Sequence, residues 1–371
     1  MSLKIDTVKL LIEPLDVLFF RDARPFTAAS RGTSVLATPQ TIAGAFRTAL
    51  LRQHNCDFEA MRDETDFVAA VKKGCPQAPW IANVTFRGPW FCKWENNPQQ
   101  DLNVLVPVPS NLHGRKKQET GPLFTLKPLN NTPLPGWPAN NGLQPLWLKS
   151  LESTEPSEGF IGKDGLTEYL SGKKVSREHL VSRDELYGFD NRTGIGINPD
   201  RLTSEESLIY GVSFLALKNK VGIYVELHSP GKELKKTIDA IELISLGGEG
   251  RRARVTKLPE STWEWPTATT QSTKGGDFVL LTTPGLFEQD PAIPSCLSGN
   301  IQAASVPGSV AVSGWDMARR GPKRSRFAAL PGSVYFLKQP MTTNNRTSLS
   351  DHKDDAALGW GCYLRGIWND D

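Results

Sequence analysis

The chain has 371 residues, of which 39% are hydrophobic and 22% charged, and its formal net charge is +3. That length suits two domains better than one small core. No stretch approaches the roughly 20 apolar residues that a bilayer span needs, and Met1 to Asp6 lack the apolar core of a secretory signal. The five cysteines (56, 75, 92, 296, 362) are widely spaced without a Cys-x-x-Cys pair. This pattern argues against a disulfide framework or a zinc site and for a reducing cytoplasm.

Val8 to Phe20 reads as an extended apolar run, with Pro14 marking a bulge or an edge position. A polar loop from Arg21 to Ser34 carries Arg21, Arg24 and Arg31. Thr38-Pro39 is a helix start, a threonine cap followed by proline at the first helical position. Ile42, Phe46, Ala49 and Leu50 make the buried stripe of that helix. Gly44 sits in its first half, where glycine costs about 1 kcal/mol relative to alanine and marks close approach of a backbone or a ligand. Strand, loop and helix in this order open a ferredoxin-like or RRM-like unit.

Residues 76–150 are punctuated by proline and glycine, hold five of the ten tryptophans (80, 90, 94, 137, 147), and offer short strands at Val84 to Arg87 and Leu102 to Val108. Residues 150–190 mix helix and loop, and 86–200 read as elaborations of the first unit. A second unit begins near Ser207, with strands at Leu208 to Leu217 and Val221 to Leu227 joined by a hairpin turn at Asn219-Lys220. Apolar positions 234, 238 and 241 predict a helix over 232–244. Further strands follow at Arg252 to Leu258, Phe278 to Thr283, Ser333 to Leu337 and Gly359 to Trp368. Without regular βαβ alternation the class is α+β with antiparallel sheets, divided into 1–206 and 207–371.

Between the predicted helix and the strand at 252 lies Leu246-Gly247-Gly248-Glu249-Gly250-Arg251-Arg252-Ala253-Arg254. Glycine permits positive φ and lets another molecule reach the main-chain N–H groups, and arginine presents a donor fork that matches phosphate oxygens. A helix C-cap explains one glycine here, but not Gly247, Gly248 and Gly250 together with Arg251, Arg252 and Arg254. The lone Glu249 does not supply the paired carboxylates of a metal-dependent cyclase. Further cations cluster at Arg115 to Lys117 and at Arg319, Arg320, Lys323, Arg324 and Arg326. Such local basic loops on a nearly neutral chain suit a phosphate-binding face, with a solvated surface as the plainer alternative. No His-x-x-x-His, Gly-x-Ser-x-Gly or phosphate-loop motif is present. Ser350 to Asp355 reads as a solvated loop, with cation binding as the alternative. No catalytic residue, metal site or cofactor is expected.

Ile12 to Asp22, Arg24-Pro25-Phe26, Thr41 to Arg47, Arg192-Thr193-Gly194-Ile195, Leu246 to Arg251, Gly314-Trp315-Asp316, Pro322-Lys323, Leu330 to Phe336 and the Gly359 to Trp368 tail occur in an order that resembles the RAMP superfamily of CRISPR-associated RNA-binding proteins. Within it the chain is similar to the Cmr-complex (type III-B) subunits that hold the 5′ end of the guide RNA. Residues 90–190 and 285–310 carry no such likeness. The resemblance implies two tandem ferredoxin-like units and a non-catalytic role, holding the 5′ tag of the crRNA. It further implies contacts with the large palm-domain subunit and the backbone RAMP subunits, with target RNA read by base pairing.

On this reading the amides of Gly247, Gly248 and Gly250 donate to phosphates, and Arg251, Arg252, Arg254, Arg21, Arg24, Arg31 and Lys323 add charge. Phe26 stacks a base or packs under its own loop. Thr41 and Arg47 meet RNA from the helix, and Arg192 and Thr193 belong to a thumb or to a plain turn. Two other readings stay open: a metal-independent RAMP endoribonuclease that processes precursor crRNA with one of the histidines, and a protein scaffold without RNA contact.

Overall fold

Val8, Leu10 and Ile12 alternate along β1 (Ile5–Pro14) and are all buried in the computed structural model, as a strand with one face in a core requires. The structure describes residues 5–20, 31–33, 36–116, 118, 120–129, 142–148, 150–197, 204–268, 275–316, 321–341 and 347–369, with backbone alone at 31–33, 194–197, 204–210, 315–316 and 322. The sheets are mostly antiparallel and the helices few and mostly short, which is the expected α+β class.

The chain forms two compact units that interleave along the sequence. One holds Met1–Pro89, Leu186–Glu260 and Ala311–Arg326; the other holds Trp90–Glu185, Ser261–Val310 and Phe327–Asp371. They do not follow the sequential division at 206/207. The reason is strand pairing: β1 lies between β6 (Val221–Pro230) and β8 (Arg252–Leu258), with Ile12 opposite both Ile223 and Val255. The segment 207–260 therefore completes the sheet that the amino-terminal strand begins. Residues 90–185, read as an elaboration of the first unit, instead supply strands and a helix to the other unit.

In the first unit the order is β3 (Thr85–Lys93, of which residues 85–89 belong to this unit), β6, β1, β8 and β7 (Leu243–Ser245). Pro14 marks neither a bulge nor an edge strand. It is the last residue of an interior strand, opposite Ala253, where the chain turns away and the missing N–H costs little. A separate hairpin pairs β4 (Tyr187–Ile197) with β5 (Ser204–Leu217), and β2 (Arg31–Thr33) joins β5 in parallel. The turn at Lys220 exists, with φ 58°, but β5 and β6 leave it for different sheets. Asn219-Lys220 is thus a corner between sheets. Arg192 to Ile195 lie within an 11-residue strand and form no turn.

Helix α1 (Pro39–Gln53) starts as the sequence dictates, with Thr38 at the cap position and Pro39 next. Its inner face buries Ile42, Ala43, Phe46, Leu50 and Leu51. Ala49, placed on that stripe by spacing, is only half-buried. The predicted 232–244 helix is shorter: α2 spans Glu233–Ile238, and β7 follows, pairing Leu243 with Arg254 and Ser245 with Arg252. Ile244 and Leu246 are buried while Leu243 and Ser245 are exposed. That period of two wins over the helical spacing once a partner strand is available.

Cys56 and Cys75 form a disulfide, contrary to the reading of the cysteine spacing. The two residues follow the ends of α1 and of the Phe67–Gly74 helix, which the Asp57 N–H to Gly74 carbonyl bond (2.8 Å) holds side by side. No sequence spacing announces such a meeting.

In the second unit the strands Ile301–Ser305, Val334–Leu337, Gly275–Leu281 and Tyr363–Asn369 form one sheet in that order. Val279, Leu281, Tyr335 and Leu337 are at its core. The Tyr335 hydroxyl donates to the Ala292 carbonyl at 2.7 Å and the Tyr169 hydroxyl to Asn111 Oδ1 at 2.7 Å. Burial pushes both phenols above their ordinary range. Asp351, read as part of a solvated loop, accepts from the Glu288 N–H (2.8 Å), the Ser295 N–H (3.1 Å) and the Ser295 hydroxyl (2.7 Å). It is a structural acceptor. Among the described residues no group of His, Cys, Asp and Glu could hold a metal ion, and no helix is long and apolar enough to cross a membrane.

Candidate nucleic-acid interface

The glycine-rich segment is the loop of the β7–β8 hairpin, closed by the Leu246 N–H bonded to the Arg251 carbonyl at 2.9 Å. Gly247, Glu249 and Gly250 all have positive φ, at 82°, 56° and 64°. The loop lies on the backbone of Phe19: the Gly248 N–H donates to the Phe19 carbonyl at 2.8 Å. A Cβ at Gly247 would come within 2.5 Å of that same oxygen. Two of the glycines therefore serve close packing inside the protein, and the Gly248 amide is committed to Phe19 and cannot also serve a phosphate. Gly250 faces open space.

The three arginines part company. Arg251 Nη1 pairs with Asp16 at 2.8 Å, and its guanidinium lies 4.5 Å from the centre of the Phe214 ring. Arg192 lies 5.0 Å from the same ring and pairs with Asp190 at 2.6 Å, a hydrogen bond that raises its pKa above the ordinary guanidinium value. Phe214 thus carries two guanidinium groups, each matched to a carboxylate, and fixes the glycine loop to the β4–β5 hairpin. Arg252 and Arg254 are exposed on the outer face of β8. Arg254 stands opposite Glu13 across the ladder.

Arg252 also lines a groove of about 1050 Å³ between α1, β7 and the loop. Thr41, Gly247, Gly248 and Lys323 border the same groove. Lys323 arrives because its N–H bonds the Gly314 carbonyl (2.7 Å), while Gln40 Nε2 donates to the Ser313 carbonyl (2.7 Å) and ties that segment to α1.

Of the remaining predicted residues, Arg47 points away from the groove, its guanidinium 3.9 Å from the Phe67 ring centre. A cation there packs against an aromatic face and does not await RNA. Thr193 is exposed on β4, opposite Gly211. Arg31 is described by its backbone alone, opposite Gly211 on β5, and Arg21, Arg24 and Phe26 lie outside the described residues.

Sequence reasoning missed Arg52, Thr48, Gln40 and Glu242 on the groove wall. The signal was available: Thr41, Thr48 and Arg52 repeat at seven and four residues on the side of α1 opposite the buried stripe. Arg52, Arg252 and Lys323 are all exposed, and among the described residues none has an ion-pair partner. Glu242 is the one carboxylate among the described groove-lining residues.

These environments predict different costs. Arg251→Ala removes an ion pair and a cation–π contact and should lower stability by about 1–2 kcal/mol. Arg252→Ala should change it by less than about 0.5 kcal/mol. Urea unfolding of both variants decides, and equal losses would mean that Arg252 is bound into the fold as firmly as Arg251.

Fold and groove together define an α+β protein with a cation-lined cleft on one of its two units. Residues 10–368 match the family model of CRISPR-associated protein (Cas_Cmr3), and the chain belongs to that family; it is a subunit of a type III-B CRISPR complex. One solved chain with a similar fold, from a type III-B Cmr-beta complex bound to cognate target RNA and AMPPnP, has 19% identity and a TM-score of 0.50, with 88% of this chain and 86% of that one covered. A chain of the same complex with cognate target RNA alone has 18% identity, the same coverage and a TM-score of 0.49. No curated protein matches.

Proposed function

We propose that this chain holds the 5′ tag of the crRNA as a non-catalytic subunit, in the groove between α1 and the glycine hairpin, and bridges the large palm-domain subunit to the backbone RAMP subunits. The observation that carries the reading is the convergence of Arg52, Arg252 and Lys323, all exposed, on one groove with a single carboxylate among its described lining residues. Single-stranded RNA is held by charge along its backbone and by contacts to splayed nucleotides, and both suit an open cleft that sets three cations beside apolar wall residues such as Phe19, Phe20 and Leu243. The similar Cmr-beta chain was determined with target RNA bound, which agrees with a place beside nucleic acid. The two units are read as ferredoxin-like.

Holding is favoured over metal-independent cleavage because no histidine lines the groove. Each histidine is engaged or buried elsewhere. His54 Nε2 lies 3.3 Å from the Thr237 hydroxyl, and His228 Nδ1 lies 3.0 Å from the Thr7 hydroxyl. His179 and His352 face Glu168 and Glu288. His113 is held below its ordinary pKa by burial.

Ultraviolet crosslinking of the purified effector complex tests the proposal. Peptides spanning 245–254 and 39–53 should carry RNA adducts, and the RNA recovered should share one 5′ end. Absence of adducts from both segments sinks it in favour of a protein scaffold, and cleavage of repeat RNA by the isolated chain would favour the endoribonuclease.

A further inference from the structure

Gly44 lies on the solvent face of α1, and an added Cβ there would meet no atom of the described residues within 4 Å. Two other glycines in this unit have an internal reason. Gly247 makes room for the Phe19 carbonyl, and Gly74 for Met61 and the Asp57 carbonyl. Gly44 does not, although glycine is unfavourable in a helix interior. Its vacant side-chain volume belongs to the groove instead, since Gly44 is part of the groove wall.

Polar residues flank it on that wall, with Ala45 and Ala49 between them. Thr41 is one turn before it and Thr48 one turn after, with the Thr48 hydroxyl donating to the Gly44 carbonyl at 2.8 Å. Arg52 follows eight residues on, about 12 Å along the helix at 1.5 Å per residue. Any side chain at position 44 would project into the cleft.

Resting on the proposed RNA-holding role, we infer that α1 carries a nucleotide subsite. The ribose and base of one RNA nucleotide lie against the bare backbone at Gly44, and Arg52 takes a phosphate further along the strand. The charge balance of the described lining residues chooses this occupant: among them Arg52, Arg252 and Lys323 face Glu242 alone, which suits a polyanion. An apolar peptide segment would leave three cations uncompensated. Gly44 is then a specificity-determining position. It sets how closely the strand approaches the helix, and therefore admits a nucleotide where a side chain would exclude it.

The test uses the full chain and fluorescent single-stranded RNA carrying the repeat-derived 5′ tag, with an unrelated RNA of equal length beside it. Gly44→Leu and Gly44→Gln should each weaken binding of the tagged RNA by about tenfold or more, the scale of losing one stacked or closely held nucleotide. The melting temperature should hold or rise, because both residues favour helix over glycine. Arg52→Ala should weaken binding about threefold or more and reduce its salt dependence, as expected for one lost phosphate contact.

Full affinity in both Gly44 variants, with Arg252→Glu still impairing binding, would overturn the subsite and leave the wider reading intact. Failure of the unaltered chain to bind either RNA would overturn both. A Gly44 variant that lost affinity only together with its melting temperature would also overturn the inference, since a steric block at the surface predicts no loss of stability.

Discussion

Replacing Arg252 and Lys323 together with glutamate should weaken binding of single-stranded guide RNA by about 100-fold near physiological salt. The two positions border one groove from different elements: Arg252 comes from β8, and Lys323 from a segment tied to the start of α1. Each side chain is exposed and without an ion-pair partner among the described residues, so reversal breaks no ion pair there. Loss of two phosphate contacts should flatten the slope of log affinity against log salt by roughly 1.4, at about 0.7 per contact on a single strand.

Arg254→Glu is the control. Arg254 is exposed on the same face of β8 but does not border the groove. It should change affinity only by the long-range effect of two units of charge, a few-fold and largely screened at 0.15 M salt. Filter binding or fluorescence anisotropy over a salt series reads both quantities. If Arg254→Glu costs as much as Arg252→Glu, the groove has no special standing, and RNA sees only the overall charge of this face.

This contrast also shows what the sequence could and could not disclose. The start of α1, its inner stripe and the β8 strand were legible, because each depends on neighbours within four residues: a threonine cap, an i, i+4 spacing, an alternation. The role of the glycines was legible only in part. Gly-Gly-x-Gly with following arginines announced a tight exposed loop, yet nothing local revealed that the Phe19 carbonyl, more than 200 residues away, would occupy the Gly248 amide. For the same reason Arg251, Arg252 and Arg254 looked alike. Their separation into a clamp, a groove wall and an outer face depends on Asp16 and Phe214, which only the fold brings near.

The pairing of Cys56 with Cys75 and the insertion of β1 between β6 and β8 escaped for that cause too. Each is a long-range contact with no periodic trace. The polar face of α1, by contrast, was readable and overlooked. Thr41, Thr48 and Arg52 are spaced to share the side of the helix opposite the apolar stripe.

Those two faces of α1 make a final expectation testable. Phe46 is fully buried, with its ring 6.4 Å from that of Phe86, and Ile42 and Leu50 flank it at 1% and 0% exposure. Phe46→Ala should cost about 3–5 kcal/mol through lost burial and the cavity left behind. Phe46→Leu, which keeps most of the volume, should cost less than about 1.5 kcal/mol. Urea unfolding followed by circular dichroism gives both values.

RNA affinity below the transition should be nearly unchanged for Phe46→Leu, because the side chain faces the sheet while Thr41, Gly44, Thr48 and Arg52 face the groove. Stability and binding should therefore separate along a single helix within two residues, Phe46 governing one and Gly44 the other. If Phe46→Ala costs less than about 1 kcal/mol, the helix is not seated on the sheet through this stripe. The groove it walls would then lack the rigid side on which RNA binding is proposed to depend.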